Sequence, residues 1–389
     1  MSNQQTDTPT SSNNKSQQRK KGLSIFILLL LLISLGSAAY WYLFIKGFEE
    51  TEDAYVSGNQ VMVSAQVAGN ISKINVDNMD PVQAGDVLLE LDDTNAKLSF
   101  EQAKSNLANA VRQVSQLNYT VKQLKSAVRA NEITLAQAQG NLNRRVQLVK
   151  DGAIDKESFQ HAKEAVELAK ANLTTSQNQL GANQALLLDG PLSEQPQIQS
   201  AVSNLKQAWL NLERTKIRSP IKGYVARRNA QVGQAVSVGG ALMAVVTTDQ
   251  MWLDANFKET QLTHMRIGQP VEIHFDLYGK DKTFNGKVVG IEMGTGSAFS
   301  LLPTQNATGN WIKVVQRVPV RIQLDPQQLA ENPLRIGLSA TVKVNVTDSQ
   351  GETLRDQAPS TTLYSTNVLQ YDESAVNNLI ESIIRDNSY

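Results

Sequence analysis

The sequence contains an internal repeat, in which the pattern of residues 68–91 returns in the same order and at the same spacing in residues 222–245. The matching pairs are Gly69 with Gly223, Ile71 with Val225, Val82 with Val236, Gly85 with Gly239, and Leu88 with Leu242. The shared pattern, alternating apolar positions around a second glycine, predicts short strands joined by a tight turn. We therefore expect the two copies to close on one another as the halves of one small β-domain.

The stretch between the two copies, residues 94–214, carries an apolar residue at every seventh position and contains few glycines or prolines. Its first arm repeats at Phe100, Leu107, Val114, Val121, Val128, Leu135, Leu142 and Val149, and its second at Phe159, Val166, Leu173, Leu180 and Leu187. Such a repeat is typical of a coiled coil, and Asp151–Ala153 offers a turn, so we predict an antiparallel helical hairpin. Gly190 and Pro191 interrupt the returning arm, where we expect an irregular loop.

Leu23–Ile45 forms one uncharged and mostly apolar run near the N-terminus. In a helix this run would reach roughly 34 Å, which is enough to cross the hydrocarbon core of a membrane. A cleaved signal peptide is the alternative, but the run is longer than the apolar core of such peptides. Basic residues precede the run and acidic residues follow it. We therefore predict one transmembrane helix over residues 23–45, with residues 1–22 as a disordered cytoplasmic tail and the rest of the chain outside.

The second half of the chain alternates apolar and polar residues, as in Val271–Phe275, which is typical of β-strands. We predict a small antiparallel β-barrel over residues 251–346 and assign residues 46–62 to a separate membrane-proximal segment. The long loop Gly294–Asn310 either folds over the barrel or faces a partner. In the tail, residues 347–389, apolar residues at helical spacing predict an amphipathic helix that docks elsewhere on the protein: Val376, Leu379, Ile380, Ile383 and Ile384.

Composition excludes several classes of function. Lys and Arg together number 37, as do Asp and Glu, so the net charge gives no indication of nucleic-acid binding. The absence of cysteine excludes disulfides and thiolate metal sites, and the three histidines leave little material for a metal centre. Asp92 and Asp93 are adjacent carboxylates, but neighbours on a strand point to opposite faces, and we expect Asp93 to cap the first long helix. We therefore predict no catalytic residue and no metal site.

Several longer motifs, together with the split repeat and the hairpin, resemble one known family. These motifs are Phe48–Asn59, Thr215–Val225, Asp254–Gln261, Arg266–Val271, Gly294–Pro303 and Leu334–Ser339. They resemble the membrane fusion proteins, the periplasmic adaptors of Gram-negative export systems, and among these the EmrA-type multidrug adaptors. The resemblance implies an elongated, multidomain α+β chain: a transmembrane helix, a lipoyl-like β-domain in two halves (63–93 and 215–250), an inserted coiled-coil hairpin and a β-barrel.

The resemblance also implies a function. Such a chain is a non-enzymatic adaptor of the inner membrane, which links a major-facilitator drug pump to a TolC-like outer-membrane channel. It associates with itself, commonly as six protomers, in a hexamer or a trimer of dimers. Many adaptors dock to the channel through the hairpin tip, with Arg, Leu four residues later and Ser seven residues after that. Here Arg144 and Leu148 match and Asp155 stands at the serine position. Since Asp can also cap the returning helix, we expect the turn to survive this change.

Two other functions fit parts of the sequence. An adaptor for ABC-type secretion of peptides or proteins would share the architecture, and the transporter that co-purifies with the chain would distinguish it. A carrier subunit of a multi-enzyme complex would share the lipoyl-like halves. Carriers attach their cofactor to a lysine at the joint between the halves, however, and here the hairpin replaces that joint. We therefore expect no cofactor.

Overall fold

The computed structural model describes residues 14–40, 47–279, 281–299, 315–355, 360 and 362–388 of the 389-residue chain. Its helices are α1 (Asn14–Tyr40), α2 (Thr94–Lys150), α3 (Lys156–Gln184), α4 (Pro196–Glu213), α5 (Pro326–Glu331) and α6 (Ser374–Asn387). Its strands are β1 (Phe48–Ser64), β2 (Gly69–Ile74), β3 (Pro81–Val82), β4 (Val87–Leu91), β5 (Lys216–Arg218), β6 (Gly223–Arg228), β7 (Ala235–Val236), β8 (Ala241–Lys258), β9 (Pro270–Phe275), β10 (Phe284–Ile291), β11 (Arg317–Leu324) and β12 (Ser339–Asn345). The chain folds as two compact units, Met1–Gln60 with Val246–Ser365 and Val61–Val245 with Thr366–Tyr389.

Helix α1 contains most of the apolar run near the N-terminus. It begins at Asn14, so residues 14–22, which we expected to be disordered, are helical. The side chains of residues 25–37 are exposed in this single chain. Among the residues whose placement the structure describes, no helix is long and apolar enough to cross a membrane. The end of the predicted transmembrane segment, residues 41–45, lies outside the described ranges.

An antiparallel β-barrel occupies the first unit. Its strands follow the order β1-β12-β9-β10-β11-β8, and β8 also pairs with β1, which closes the barrel. Val271, Ile273 and Phe275 of β9 are buried while the residues between them are not, because successive side chains of a strand face opposite sides of the sheet. The rings of Phe275 and Phe284 meet edge to face with their centroids 4.9 Å apart. The predicted barrel is therefore confirmed.

Strand β1 makes this barrel different from the one that we expected. It pairs with β12 from Phe48 opposite Asn345 to Tyr55 opposite Ser339. Ala54 of β1 is completely buried in the barrel core. Much of the segment that we had set apart as membrane-proximal is therefore a barrel strand, and its partner lies near the other end of the chain. Of the predicted loop Gly294–Asn310, residues 300–310 lie outside the part of the chain that the structure describes.

The split β-domain lies in the second unit, and strands from both halves of the internal repeat pair within it. Gly69 of β2 lies opposite Val236 of β7, and Val82 of β3 lies opposite Gly223 of β6. Both halves also contribute to one apolar core, formed by Val63, Ala65, Ile71, Val82, Leu88, Leu89, Leu91, Ile217, Val225, Ala230, Leu242, Met243 and Val245. The prediction that two copies form one domain is confirmed.

Backbone hydrogen bonds repeat between the two halves as well. The Gly85 amide donates to the Ser219 carbonyl, and the Gly239 amide donates to the Ala65 carbonyl, each at 2.8 Å. Both glycines have positive φ angles, 94° and 83°, which residues with a side chain rarely adopt. The recurrence of glycine in the repeat therefore reflects the same turn built twice.

Helices α2 and α3 form the predicted antiparallel hairpin. The buried residues of α2 include four members of its seven-residue repeat, Leu107, Val114, Val121 and Val128. Asn131 Nδ2 donates a hydrogen bond of 2.7 Å to Ser176 Oγ across the two helices. Helix α2 has 57 residues and is therefore about 86 Å long. The returning arm is interrupted as expected, because α3 ends at Gln184 and α4 begins only at Pro196.

Three helices meet at the base of the hairpin. Residues of α2, α4 and α6 share one apolar cluster of buried side chains, which comprises Ala103, Leu107, Val111, Val114, Ile198, Ala201, Leu205, Ala208, Val376 and Ile380. The amphipathic helix predicted in the tail is α6, and this cluster is where it docks. The base is thus thicker than a two-helix coiled coil, which explains why burial of α2 is greatest there.

The start of α2 differs from our expectation. Asp93 occupies the N-cap position, but its side chain accepts no capping hydrogen bond. Instead, the amide and the hydroxyl of Thr94 donate to Asp92 Oδ1 at 3.0 Å and 2.6 Å. These two hydrogen bonds, the hydroxyl's first, lower the pKa of Asp92. Asp93 forms an ion pair of 2.9 Å with Lys97 instead, so the capping role that we assigned to Asp93 belongs to Asp92.

Candidate docking site at the hairpin tip

The tip of the hairpin is a tight turn that closes the end of α2. The Ala153 amide donates to the Leu148 carbonyl at 2.8 Å, and the Gly152 amide donates to the Val149 carbonyl at 3.2 Å. This pair of bonds satisfies carbonyls that have no partner within the helix, and it requires a left-handed residue after the helix end. Gly152, with φ of 67°, supplies that residue. The sequence signal for the turn was this glycine.

Asp155 starts the returning helix. It has an extended backbone, with φ of −72° and ψ of 159°, and its side chain accepts a hydrogen bond from the Ser158 amide. The Ser158 hydroxyl donates to its other oxygen at 3.1 Å. These hydrogen bonds, the one from the backbone first, hold the pKa of Asp155 below its ordinary value. The predicted N-cap is confirmed, and the change from serine to aspartate leaves the turn intact.

Arg144 and Leu148 lie four residues apart on α2, so they share one face of that helix. Arg144 is exposed, and its guanidinium donates to the side-chain oxygen of Asn141 on the same helix. Leu148 is 42% exposed. The two side chains therefore offer a cationic and an apolar group to solvent next to each other. Both carboxylate oxygens of Asp155 already accept hydrogen bonds from Ser158. Asp155 therefore shares with Arg144 and Leu148 only its position near the turn.

Two further residues at the tip, Arg145 and Val146, were not predicted from the sequence. Arg145 reaches across the hairpin, where its guanidinium donates to the Ser158 carbonyl at 3.4 Å. Val146 is 37% exposed and adds a second apolar side chain to the outer surface of α2. The sequence could have indicated the exposure of Val146, because this residue lies outside the seven-residue repeat. An apolar side chain outside the repeat has no place in the core of the hairpin.

The chemistry available at this tip is recognition rather than catalysis. A guanidinium makes strong, directional hydrogen bonds to carboxylates and carbonyls, and exposed Leu and Val side chains gain free energy when a partner covers them. Charges of both signs lie nearby, on Lys150, Asp151, Asp155, Lys156 and Glu157. Within the described ranges, no group of three or more His, Asp and Glu residues is arranged to hold a metal ion. The arrangement suits a protein partner that offers acceptors and an apolar groove.

Comparison with known proteins agrees with this architecture. Residues 94–215 match the family described as the EMRA alpha-helical hairpin domain, and residues 250–345 match the AAEA-like beta-barrel domain. The chain is 77% identical to the multidrug export protein EmrA of Haemophilus influenzae over 357 residues, which cover 92% of each chain. It is 51% identical to EmrA of Escherichia coli over 349 residues, or 90% of each chain. A solved structure of the periplasmic adaptor protein EmrA aligns with 77% of this chain and 98% of its own, at 19% identity and a TM-score of 0.41.

Proposed function

Since the chain belongs to the EmrA family of membrane fusion adaptors, we propose that it links an inner-membrane major-facilitator drug pump to a TolC-like outer-membrane channel. The observation that carries this proposal is the inserted hairpin: a helix of 57 residues projects from a split β-domain and ends in an ordered turn with exposed Arg144 and Leu148. The relatives are named for multidrug export. The role is mechanical and involves no bond chemistry, because the adaptor holds pump and channel together during export.

The anchor of this adaptor is the apolar run Leu23–Ile45, which crosses the inner membrane once with the N-terminus in the cytoplasm. Its charge asymmetry, and the exposed leucine and isoleucine side chains of α1, support this placement. Protease treatment of spheroplasts tests it. The protease should degrade residues beyond the run and leave an epitope placed before Lys15 intact. Degradation of that epitope, or release of the protein in a soluble form, would refute the anchor.

Self-association follows from the mechanical role, because one hairpin cannot enclose a path for a drug. We propose that about six protomers assemble through neighbouring hairpins and β-domains. Analytical ultracentrifugation of the detergent-extracted protein should find species larger than a dimer at micromolar concentration. A monomer at every concentration would count against assembly by the chain alone.

Docking of the tip to the channel is tested by Arg144→Asp and Leu148→Ser in a strain that lacks its own adaptors and carries the cognate pump. Each variant should lose drug resistance at unchanged protein level, and its cross-linking to the channel should fall on the order of tenfold or more, as expected for a central interface residue. Arg129→Asp and Leu98→Ser are matched controls, because both residues are exposed on α2 away from the tip. Full resistance in both tip variants would remove the docking role.

The alternative function is that of an adaptor for an ABC-type secretion system. The class of transporter that binds the chain distinguishes this function from the proposed one. Cross-linking in intact cells, followed by mass spectrometry of the inner-membrane partner, should identify a major-facilitator pump. Recovery of an ABC transporter in its place would replace the proposed pump and leave the adaptor role standing.

A further inference from the structure

We propose that the C-terminal segment, residues 366–388, is a strap that fixes the angle between the hairpin and the split β-domain. This segment forms one connected series of contacts, first with the β-domain and then with the hairpin base. We call it the C-terminal strap. The inference does not depend on the proposed function, because it concerns the geometry of a single chain and needs neither pump nor channel.

The beginning of the strap is attached to the β-domain. The Thr366 hydroxyl donates a hydrogen bond of 2.7 Å to the Pro220 carbonyl, which lies just before β6. The Tyr371 hydroxyl donates to Gln66 Oε1 at 3.5 Å. Gln66 lies in the first half of the split β-domain (63–93) and Pro220 lies in the second half (215–250), so the strap contacts both halves of the domain.

The rest of the strap is attached to the hairpin base. Val376 and Ile380 of α6 are only 2% and 6% exposed, and they lie in the apolar cluster that contains Leu107 of α2 and Leu205 of α4. Burial of these two side chains provides the main attraction, since apolar surface removed from water is the dominant favourable term in packing. The Asp372 side chain accepts a hydrogen bond of 2.9 Å from the Ser374 amide, which supports the start of α6.

Polar contacts fix the position of α6 along the base. Lys206 Nζ of α4 and Glu373 Oε2 form an ion pair of 2.8 Å at the start of α6. At its end, Arg112 Nη1 of α2 donates to Asn387 Oδ1 at 2.5 Å. The rings of Trp209 and Tyr371 meet edge to face with their centroids 6.3 Å apart. These exposed or half-exposed contacts add little free energy individually, but they define one register and one direction for the helix.

The mechanical need for a strap follows from the connections of the hairpin. Residues 92–93 lead from β4 into α2, and residues 214–215 lead from α4 back to β5. Two short connections between two rigid bodies act as a hinge, because rotation about the line that joins them remains free. A third attachment away from that line removes this rotation. The strap would supply such an attachment, since it bonds to the β-domain at one end and to two hairpin helices at the other.

The test measures the angle directly. The chain has no cysteine, so Lys125→Cys on α2 and Val238→Cys on the β-domain give unique positions for spin labels, and both native side chains are exposed. Distances between the labels are measured by pulsed double electron–electron resonance on the full chain in detergent, diluted with unlabelled native chain. We compare Val376→Asp with its matched control Asn377→Asp, which adds the same charge at the neighbouring exposed position.

The parent and Asn377→Asp should give one narrow distance distribution, and Val376→Asp should broaden it about twofold or more, because a buried carboxylate expels α6. Hydrogen exchange of the split β-domain strands and of the outer part of α2 should stay unchanged, which would establish that both parts remain folded. If Val376→Asp also unfolds either part, the milder Ile380→Ala decides, with a smaller broadening expected. The proposal would be refuted if the folded variant gave a distance distribution as narrow as that of the parent. It would also be refuted if the parent gave a distribution as broad as that of the variant.

Discussion

Replacing Gly286 with alanine should destabilise the barrel, because strand β10 leaves no room for a methyl group at this position. A Cβ at Gly286 would lie 2.8 Å from Ile322 Cγ2, 2.9 Å from the Gln323 carbonyl oxygen and 3.0 Å from Ile273 Cδ1. Non-bonded carbon atoms pack about 3.5–4.0 Å apart, so the two methyl groups would each need to move by about 0.5–1 Å. The carbonyl oxygen is held in the β10–β11 pairing and cannot rotate away.

The size of the effect follows from these distances. Overfilling a packed core costs about 1–3 kcal/mol, and the fixed carbonyl places this case near the upper end. Alanine also restricts the unfolded chain, which offsets about 0.4–1 kcal/mol. We therefore expect a net loss of about 2 kcal/mol, which corresponds to roughly thirtyfold faster hydrogen exchange of the β9–β11 amides that open with the barrel.

Hydrogen exchange with mass spectrometry measures this change in the full chain. Gly290→Ala is the matched control, since Gly290 lies on the same strand and a Cβ there would meet nothing within 4 Å. Exchange in Gly290→Ala should stay close to that of the parent. Equal exchange in the two variants would refute the steric argument, because it would show that the strand shifts to accept the methyl group at little cost.

Three further changes test other parts of the molecule. Met79→Asn should stabilise the split β-domain by about 1 kcal/mol in urea unfolding, because Met79 is 84% exposed and holds φ at 74°, where asparagine is less strained. Leu107→Ala should destabilise the hairpin base by about 3 kcal/mol, measured by thermal unfolding, since Leu107 is fully buried, whereas exposed Leu98→Ala should change stability by less than about 0.5 kcal/mol. Because hydrogen bonds lower the pKa of Asp155 from its ordinary value of 3.8, its capping contribution is complete above that pH and is lost as pH falls through the lower folded value. Protection of the Ser158 amide, corrected for intrinsic exchange, should therefore fall in acid in the parent but not in Asp155→Ser; the same acid loss in both would refute the assignment.

Local patterns predicted the hairpin well because its determinants lie close together in the sequence. The seven-residue repeat describes one face of α2, and its members from Leu107 to Val128 are buried. Gly152 and Asp155 act within one turn of their own positions, so the tip could be anticipated in some detail. The internal repeat was equally informative, because two copies of one half-domain leave few ways to bury their apolar faces other than against each other.

Long-range partners could not be predicted in the same way. Strand β1 pairs with β12, and nothing in residues 48–55 specifies a partner at the other end of the chain. The amphipathic pattern of α6 indicated that the helix docks, but the apolar surface that receives it is shared between α2 and α4. At the tip, the repeat showed which residues pack inward, whereas the reach of Arg145 to Ser158 depends on side-chain geometry that spacing does not contain. Likewise, the sequence does not show that Asp93 has φ of −95° and ψ of 3°, outside the extended conformation typical of an N-cap residue.

Biosynthesis of this protein runs against its architecture, because α6 is translated more than 200 residues after the end of α2, the hairpin helix that it partly covers. Until α6 leaves the ribosome, Leu107 and its neighbours on α2 lack a partner that the finished protein provides. Partly exposed apolar surface of this kind promotes aggregation in multidomain chains. A product truncated by a nonsense codon just before Ser374 would lack this cover, and we expect chaperones and quality-control proteases to recognise it.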